Sequence, residues 1–274
     1  MQTQSTPFSE QISFPQGTSD SHFHLLEIER HGIDPVLLLR TLSDHGFCFG
    51  LEVAIDERDF ARRLELAEPY PGLYLTAGLH PSASASAELD LSAIMIELTK
   101  QFQHPKVRAA GEMGIDLFRN YASLEKQREL FVAQLRLASD HRLPVVIHNR
   151  DADLEILNVL KEAPPSAGGI MHCFSSTAEF AHACIEIGMY ISFAGNLSFR
   201  KAATLRNLVT ELPRDRILVE TDAPYLTPHP YRGKTNHPGR IGLTLSVLSE
   251  LLQLSVEATA ELTTRNLHRL LQVE

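Results

Sequence analysis

From about residue 20, short apolar runs alternate along the chain with longer amphipathic stretches. Apolar runs of about four to eight residues are typical of buried strands, and apolar residues spaced three and four apart are typical of helices that cover a sheet. The candidate strands are "SDSHFH", "FCFGLEVAI", "LYLTAGL", "VRAAGEMGI", "PVVIHN", "GIMHCF", "YISFAG" and "ILVETD". The pattern therefore predicts eight strands.

Helical segments separate these strands. Examples are "PVLLLRTLSDHG", which Gly46 would end, "SLEKQRELFVAQLRLASDHR" and "TAEFAHACIEIG". Strand-then-helix units that repeat eight times imply parallel strands joined by right-handed crossovers. We predict an α/β protein with a single (β/α)8 TIM barrel, and a doubly wound open sheet is the alternative.

The alternation continues without a linker or a low-complexity break. A length of 274 residues suits one barrel. We therefore predict one domain over residues 19–274, preceded by a polar N-terminal arm over residues 1–18. The arm has neither the basic nor the apolar region of a secretion signal.

Composition narrows the class of protein. Apolar residues make up 43% of the chain and charged residues 22%, which excludes a mainly disordered protein. Three scattered cysteines fit a reducing cytosol, and no apolar run approaches the roughly 18 residues of a membrane span. We expect a cytoplasmic protein with no membrane segment.

The formal net charge of −9 argues against a broad basic surface for duplex DNA. That is a statement about the whole chain only. Divalent cations bound by clustered carboxylates would reverse the local sign of charge, so an anionic substrate at a metal site remains open.

Candidate chemistry is concentrated at the predicted strand ends, where functional side chains of a barrel collect. The residues there are His22, His24, His80, Glu112, His148, His172, Glu220 and Asp222. Strand side chains alternate between faces, so His22 and His24 should both point into the barrel. Imidazole and carboxylate groups together suit divalent ions such as Zn, Mn, Ni or Fe. Their number predicts a site for two ions.

Each residue also has a plainer interpretation. A single strand histidine is more often a hydrogen-bonded core or rim residue than a metal ligand. Against that stands the grouping of four of these histidines and two of these acids at one end of five predicted strands, whereas most other histidines fall in helices or connections. Asp20, in phase with His22 and His24, could orient an imidazole or cap the start of the strand.

The motifs together resemble a known family. In chain order they are "DSHFH", "AGLHP", "GEMGID", "PVVIHNRDA", "MHCFS", and "ETDAPYL" followed by "PYRGKTNHP". Over residues 19–272 they resemble the TatD family of metal-dependent deoxyribonucleases, amidohydrolase-like enzymes with a TIM barrel. Two positions depart from that pattern: Leu26, where the family commonly has Asp, and His237, where it usually has Glu.

The resemblance implies ligands for two divalent ions, whose identity among Mg, Mn, Zn and Ni it leaves open. His22, His24 and Asp222 would bind one ion, His148 and His172 the other, and Glu112 would bridge them. Asp222 and Glu112 would be catalytic, with Asp222 accepting a proton from the attacking water and Glu112 setting the distance between the ions.

The implied reaction is hydrolysis of phosphodiester bonds in DNA, by an exonuclease acting on single strands. Glu112 favours this branch, because related amide hydrolases often carry a carboxylated lysine there. The resemblance suggests that His80, Arg150, Arg232 and Asn236 bind the substrate phosphate or position the backbone. With no tryptophan and no aromatic platform identified, we expect recognition of DNA without sequence specificity, by a monomer.

Two other functions stay open. A metal-dependent amide or ester hydrolase, acting for example on an N-acyl or aminoacyl substrate, could use the same ions to polarise a carbonyl. A catalytically silent binding protein is disfavoured, because every ligand position of the family is filled.

Overall fold

The computed structural model describes residues 12–273, apart from the side chains of Cys48 and Phe49. The strands are β1 (Thr18–Phe23), β2 (Phe47–Glu52), β3 (Leu73–Ala77), β4 (Val107–Asp116), β5 (Val145–Arg150), β6 (Gly169–Met171), β7 (Met189–Phe193) and β8 (Ile217–Val219). The α-helices are α1 (Leu25–Arg30), α2 (Pro35–Asp44), α3 (Phe60–Ala67), α4 (Leu91–Phe102), α5 (Leu124–Asp140), α6 (Asp153–Glu162), α7 (Ala178–Glu186), α8 (Ala203–Glu211), α9 (Ile241–Leu252) and α10 (Val256–Leu271). All eight predicted strands are present.

The strands form one eight-stranded sheet whose order follows the sequence from β1 to β8. Strands β3 to β7 pair in parallel. Beyond the end of β8, Phe23 and Ala223 form a parallel bridge, and the amide of Asp222 donates to the carbonyl of His22 at 2.9 Å. Sequential order and a link from first to last strand define a (β/α)8 barrel, so the predicted fold class is confirmed.

Local signals explain where the helices begin and end. Asp34 caps α2 by accepting hydrogen bonds from the amides of Val36 and Leu37, and Gly46 follows the helix with φ +89°. Ser123 caps α5 in the same way. These ends agree with the sequence prediction.

The chain divides into two compact units, residues 1–51 with 193–267 and residues 52–192 with 268–274. The prediction of a single domain over 19–274 therefore stays a prediction. Residues 1–11 of the predicted arm lie outside the described residues. In the first unit, the segment after them packs on the start of α9, where Ser13 lies so close to Gly242 that no side chain would fit.

The second unit places β3 to β6 against α3 to α7, with an apolar core that encloses the ion pair of Arg63 and Glu52. Arg63 donates to Glu52 at 2.5 Å and to the carbonyl of Thr76 at 2.7 Å. Both charged side chains are almost fully enclosed. The paired charges and hydrogen bonds offset the cost of removing them from water.

Within residues 12–273, no helix by itself is long and apolar enough to cross a membrane. The bent pair Pro238–Leu252 and Val256–Leu271 passes the same length and composition test only when taken together.

Candidate metal centre

Three buried side chains of the first unit converge, and we call His22, His24 and Asp222 the first ligand set. His22 lies on β1 and His24 directly follows it, so strand alternation brings both rings to one face. Their Nε2 atoms are 3.0 Å apart, and each lies 3.7 Å from Oδ1 of Asp222. The predicted convergence of the two histidines is confirmed.

The spacing of this set fits a divalent ion. Ligand atoms about 2.1 Å from an ion stand roughly 3.0 to 3.5 Å from one another. The three distances of the first set fall in or close to that range. Two imidazole nitrogens facing one carboxylate oxygen are a donor set that first-row divalent ions prefer. The set could therefore hold one such ion.

Asp20 supports the loop that carries Asp222. Its carboxylate accepts hydrogen bonds from the amides of His22 and Thr221, at 3.1 and 3.0 Å, and from the hydroxyl of Thr221 at 2.6 Å. Complete burial raises the pKa of Asp20 to about 8, against the lowering effect of these hydrogen bonds. Asp20 thus ties β1 to the segment after β8, and its hydrogen bonds in the described residues go to those groups rather than to an imidazole.

Asn236, a predicted substrate-binding residue, is fully buried behind the same loop. Its side-chain nitrogen Nδ2 donates to the carbonyls of Thr221 at 3.0 Å and Tyr225 at 2.7 Å. These bonds hold the main chain on both sides of Asp222, which has φ +53°. A contact of Asn236 with substrate stays a prediction.

Glu112, His148 and His172 of the second unit form the second ligand set. Glu112 lies on β4, His148 on β5, and His172 directly after β6. Oε1 of Glu112 is 2.7 Å from Nδ1 of His148 and 3.0 Å from Nε2 of His172, and those two nitrogens are 3.5 Å apart. The distances of 3.0 and 3.5 Å match the ligand spacing around a single ion, and the distance of 2.7 Å is that of a hydrogen bond that an ion would replace. The second set could therefore hold an ion as well.

His80, also a predicted site residue, stands beside this set. It follows β3 and caps a 3₁₀ turn, where its Nδ1 accepts from the amide of Ser82 at 3.1 Å. Its Nε2 lies 3.9 Å from Oε1 of Glu112, and its ring centre is 4.6 Å from that of His148. The structure thus brings His80 to the second set.

Asp116 is a site residue that the sequence analysis missed. Its Oδ2 lies 3.2 Å from Nε2 of His148, and its Oδ1 accepts from the amide of Arg119 at 2.7 Å. The alternation of β4 gives the signal, because Glu112 and Asp116 are four residues apart on one strand and share a face.

In the metal-free protein, His148 and Asp116 each stabilise the charged form of the other. Burial lowers the pKa of His148, but hydrogen bonds to Asp116 and Glu112 outweigh it and leave that pKa raised. Burial alone would raise the pKa of Asp116, yet its hydrogen bonds to His148 and the Arg119 amide leave that pKa lowered. A metal ion and a proton would compete for His148.

A second missed group joins the ends of β5 and β6. The carboxylate of Asp153 accepts from the side-chain amide of Asn149 at 2.6 Å and from the hydroxyl of Ser176 at 2.7 Å. Asn149 is the neighbour of both His148 and Arg150. These bonds therefore fix the loops that follow two ligand-bearing strands.

The two predicted arginines differ in their surroundings. Arg150 is exposed and lies over the ring of Phe118, with its guanidinium carbon 4.0 Å from the ring centre. Arg232 lies over Phe199 at 3.9 Å. Arg232 also lines a cavity of about 410 Å³ with His31, Phe199, Pro224 and Lys234. That cavity shares the 222–227 segment with the first ligand set and brings cationic groups there.

Leu26 and His237, the two residues that depart from the family pattern, are both buried. Leu26 lies in α1 with 9% of its surface exposed. Burial, together with the charge of Arg240, lowers the pKa of His237 to about 3. His237 is thus a neutral, enclosed side chain at neutral pH.

Comparisons with known proteins agree on one family. The sequence profile of the TatD-related DNase family matches residues 19–272. An uncharacterized metal-dependent hydrolase, YabD of Bacillus subtilis, is 40% identical over 256 residues, which cover 93% of this chain and 98% of YabD. The 3′-5′ ssDNA/RNA exonuclease TatD of Escherichia coli K12 is 38% identical over 173 residues, covering 62% of this chain and 65% of that enzyme.

Among solved structures, the TatD homologue YJJV of Escherichia coli K12 superposes with a TM-score of 0.83 at 28% identity. The match covers 94% of this chain and 99% of YJJV. A TatD-family hydrolase of Entamoeba histolytica superposes with a TM-score of 0.78 at 22% identity, covering 94% of this chain and 99% of the other, and supports the fold alone.

Proposed function

The chain belongs to the TatD-related DNase family of metal-dependent hydrolases, and from that premise we propose that it cleaves phosphodiester bonds in DNA, as an exonuclease on single strands. The observation that carries the proposal is the second ligand set, where one carboxylate oxygen of Glu112 meets the imidazoles of His148 and His172 within 3.0 Å. Glu112 occupies the strand-four position at which amide-hydrolysing relatives often carry a modified lysine.

The residues would hold two divalent ions. We propose that His22, His24 and Asp222 ligate one ion, that His148 and His172 ligate the other, and that Glu112 bridges the two. The distances within each set support the two groups of ligands, and the bridging role of Glu112 is proposed from the pattern of the family. Bound ions would supply a water with a pKa near neutrality and positive charge for the phosphate.

The chain's own side chains would then accept the proton and hold the catalytic groups in position. We propose that Asp222 accepts the proton of the attacking water at its carboxylate. Asp20 and Asn236 hold the Asp222 loop from both sides, which keeps that carboxylate in place. Asp116 accepts from Nε2 of His148 and so directs Nδ1 toward the ion.

Cationic side chains give the site its affinity for a phosphate backbone. We propose that Arg232 binds a phosphate in the cavity that it lines with His31 and Lys234. Arginine suits this role because its planar guanidinium donates two parallel hydrogen bonds to phosphate oxygens. Arg150 and His80 would bind phosphate beside the second set. These local charges offset the overall negative charge of the chain.

The name of the Escherichia coli relative, a 3′-5′ ssDNA/RNA exonuclease, supports the choice of single strands. We propose DNA as the substrate, read through its backbone without sequence specificity, and a cytoplasmic monomer as the active form.

The test is cleavage by metal-depleted protein reloaded with Mg, Mn, Zn or Ni. Linear single-stranded DNA labelled at either end should lose nucleotides stepwise, whereas circular single-stranded DNA should survive. His148→Ala and Glu112→Ala should each lower the rate by more than about 100-fold, beyond the usual cost of losing a supporting residue. The matched control is His182→Ala, an exposed histidine on α7, which should retain the rate.

The same preparations separate the alternatives. Elemental analysis should find two ions per chain, and one ion would refute the two-ion site. Cleavage that survives in His148→Ala and Glu112→Ala would identify a contaminant. Hydrolysis of an amide and ester panel without any loss of DNA would favour the second function.

A further inference from the structure

Exposed aromatic rings lie beside the second ligand set, on the segment between β4 and α5 that we call the 117–122 loop. Phe118 has 59% of its surface exposed and Tyr121 has 37%. They are two of the few large apolar side chains that the described residues leave this open to solvent. An exposed hydrophobic ring gains none of the free energy of burial in the folded chain. Such rings beside a site often mark a binding surface.

Phe118 is held by a cation from the neighbouring strand. The guanidinium carbon of Arg150 lies 4.0 Å from the centre of the Phe118 ring. A cation over one face stabilises the ring and leaves its other face available to a second planar group. Arg150 directly follows Asn149 at the end of β5, two residues after His148. The pair therefore offers a flat apolar face and a positive charge at the same edge of the site.

Tyr121 connects the loop to the ligand residues. Its ring meets that of His80 edge to face, with centres 5.7 Å apart, and His80 meets His148 in the same way at 4.6 Å. A continuous row of rings therefore runs from the exposed loop to the second ligand set. A planar group that stacks at the outer end of this row would stand a few ring widths from the ions.

The loop is fixed in place before any ligand arrives. The buried side chain of Gln127 accepts from the amide of Asp116 at 2.9 Å and donates to the carbonyl of Ala122 at 3.0 Å, so it holds both ends. The amide of Leu117 donates to the carbonyl of Arg150 at 2.9 Å. Binding to a prefixed loop avoids the entropic cost of ordering it.

We propose that Phe118 and Tyr121 form a stacking platform for nucleobases, with Arg150 drawing in the adjacent phosphate. The proposal deepens the proposed function and rests on it for the class of ligand. Single-stranded nucleic acid combines planar bases with a charged backbone, and proteins bind it with aromatic rings beside basic groups. The sequence analysis identified no such platform, because exposed rings in a loop leave no periodic signal.

The experiment measures binding of a fluorescent oligothymidylate, and of an abasic deoxyribose-phosphate oligomer of equal length, to the full chain with Mg and with chelator. The oligothymidylate should bind more tightly, and Phe118→Ala should weaken it by about 5- to 150-fold while changing the abasic oligomer little. Phe118→Trp should restore tight binding. The matched control is Ile96→Ala, an equally exposed apolar residue on α4, which should bind as the wild type does.

Phe118→Trp also gives a direct reporter, because the chain contains no other tryptophan. Oligothymidylate should quench its fluorescence and the abasic oligomer should not. Equal affinity of the wild type for the two oligomers, or wild-type affinity in Phe118→Ala with no quenching in Phe118→Trp, would overturn the platform.

Binding and cleavage fail separately in this design. Base-dependent binding by a wild-type protein that cleaves no oligonucleotide with any metal would refute the proposed nuclease and keep the platform. Cleavage that ignores the bases, with equal affinity for both oligomers, would keep the nuclease and refute the platform.

Discussion

Asp116 is the residue whose replacement tests the second ligand set most directly. In Asp116→Asn the side chain keeps its size, and one carboxylate oxygen becomes an NH₂ group. In the wild type, the Asp116 carboxylate accepts from the amide of Arg119 at 2.7 Å and faces Nε2 of His148 at 3.2 Å. Because an ionised carboxylate only accepts, Asp116 keeps a proton on Nε2, so an ion that displaces the proton between His148 and Glu112 would bind the lone pair of Nδ1.

The asparagine side chain cannot serve both neighbours through separate oxygens. Its single oxygen can face Arg119 or His148, and the NH₂ group must face the other, which is also a donor. The repulsion between the two donors is relieved if the Nε2 proton of His148 moves to Nδ1. Nδ1 is the atom that lies 2.7 Å from Glu112 and would bind the ion. Loss of such a supporting partner weakens metal binding by about 10- to 100-fold. That factor corresponds to about 1.4 to 2.7 kcal/mol.

The assay is calorimetric titration of metal-free protein with Mn, which separates two binding events, followed by the rate of DNA cleavage as a function of Mn concentration. Asp116→Asn should weaken one event and leave the other unchanged, and excess Mn should recover part of the rate. Asp140→Asn, at the exposed end of α5, is the matched control. Two unchanged binding events in Asp116→Asn would refute the role given to this carboxylate.

Two further predictions concern the first unit. Asn236→Ala leaves the buried carbonyl of Thr221 and the partly buried carbonyl of Tyr225 without this donor, so the free energy of unfolding should fall by about 2 to 3 kcal/mol relative to the exposed control Asn207→Ala; equal melting temperatures of the two variants would contradict this. Burial beside Arg240 lowers the pKa of His237 from 6.5 to about 3, so below pH 6.5 the unfolded chain binds a proton that the native state refuses. The free energy of unfolding should therefore drop by about 1 to 2 kcal/mol more between pH 7 and pH 5 in the wild type than in His237→Gln, as measured by urea denaturation, and parallel pH curves for the two proteins would rule this out.

The ligand residues could be predicted because they obey rules that do not depend on loop conformation. His22 and His24 share a face by strand alternation, and His148 and His172 end parallel strands whose ends must meet on one side of the sheet. These rules need only the strand boundaries, and the apolar runs locate those within a few residues.

Asp116 obeyed the same rules and was still missed, because the predicted strand stopped at Ile115. The structure extends β4 to Asp116, where Gln127 of α5 binds its amide and carbonyl. A contact from a residue eleven positions away leaves no local mark in the sequence of the strand.

Asn236 and the 117–122 loop illustrate the part that sequence cannot supply. Asn236 follows β8 by many residues, and only the path of the connecting segment brings its amide under Thr221. The exposure of Phe118 likewise depends on how Gln127 folds the loop and on where Arg150 ends its strand. Both facts are set by tertiary contacts and not by a periodic pattern.

The two ligand sets also differ in how far along the chain they reach. The second set is complete once residue 172 exists, whereas His22 and His24 wait for Asp222. At ribosomal rates of about 5 to 20 residues per second, the 50 residues between positions 172 and 222 take roughly 2.5 to 10 s to synthesise. During biosynthesis the ligands of the second set are therefore complete before those of the first, and a chain released before residue 222 would carry the whole second set but would lack Asp222 of the first.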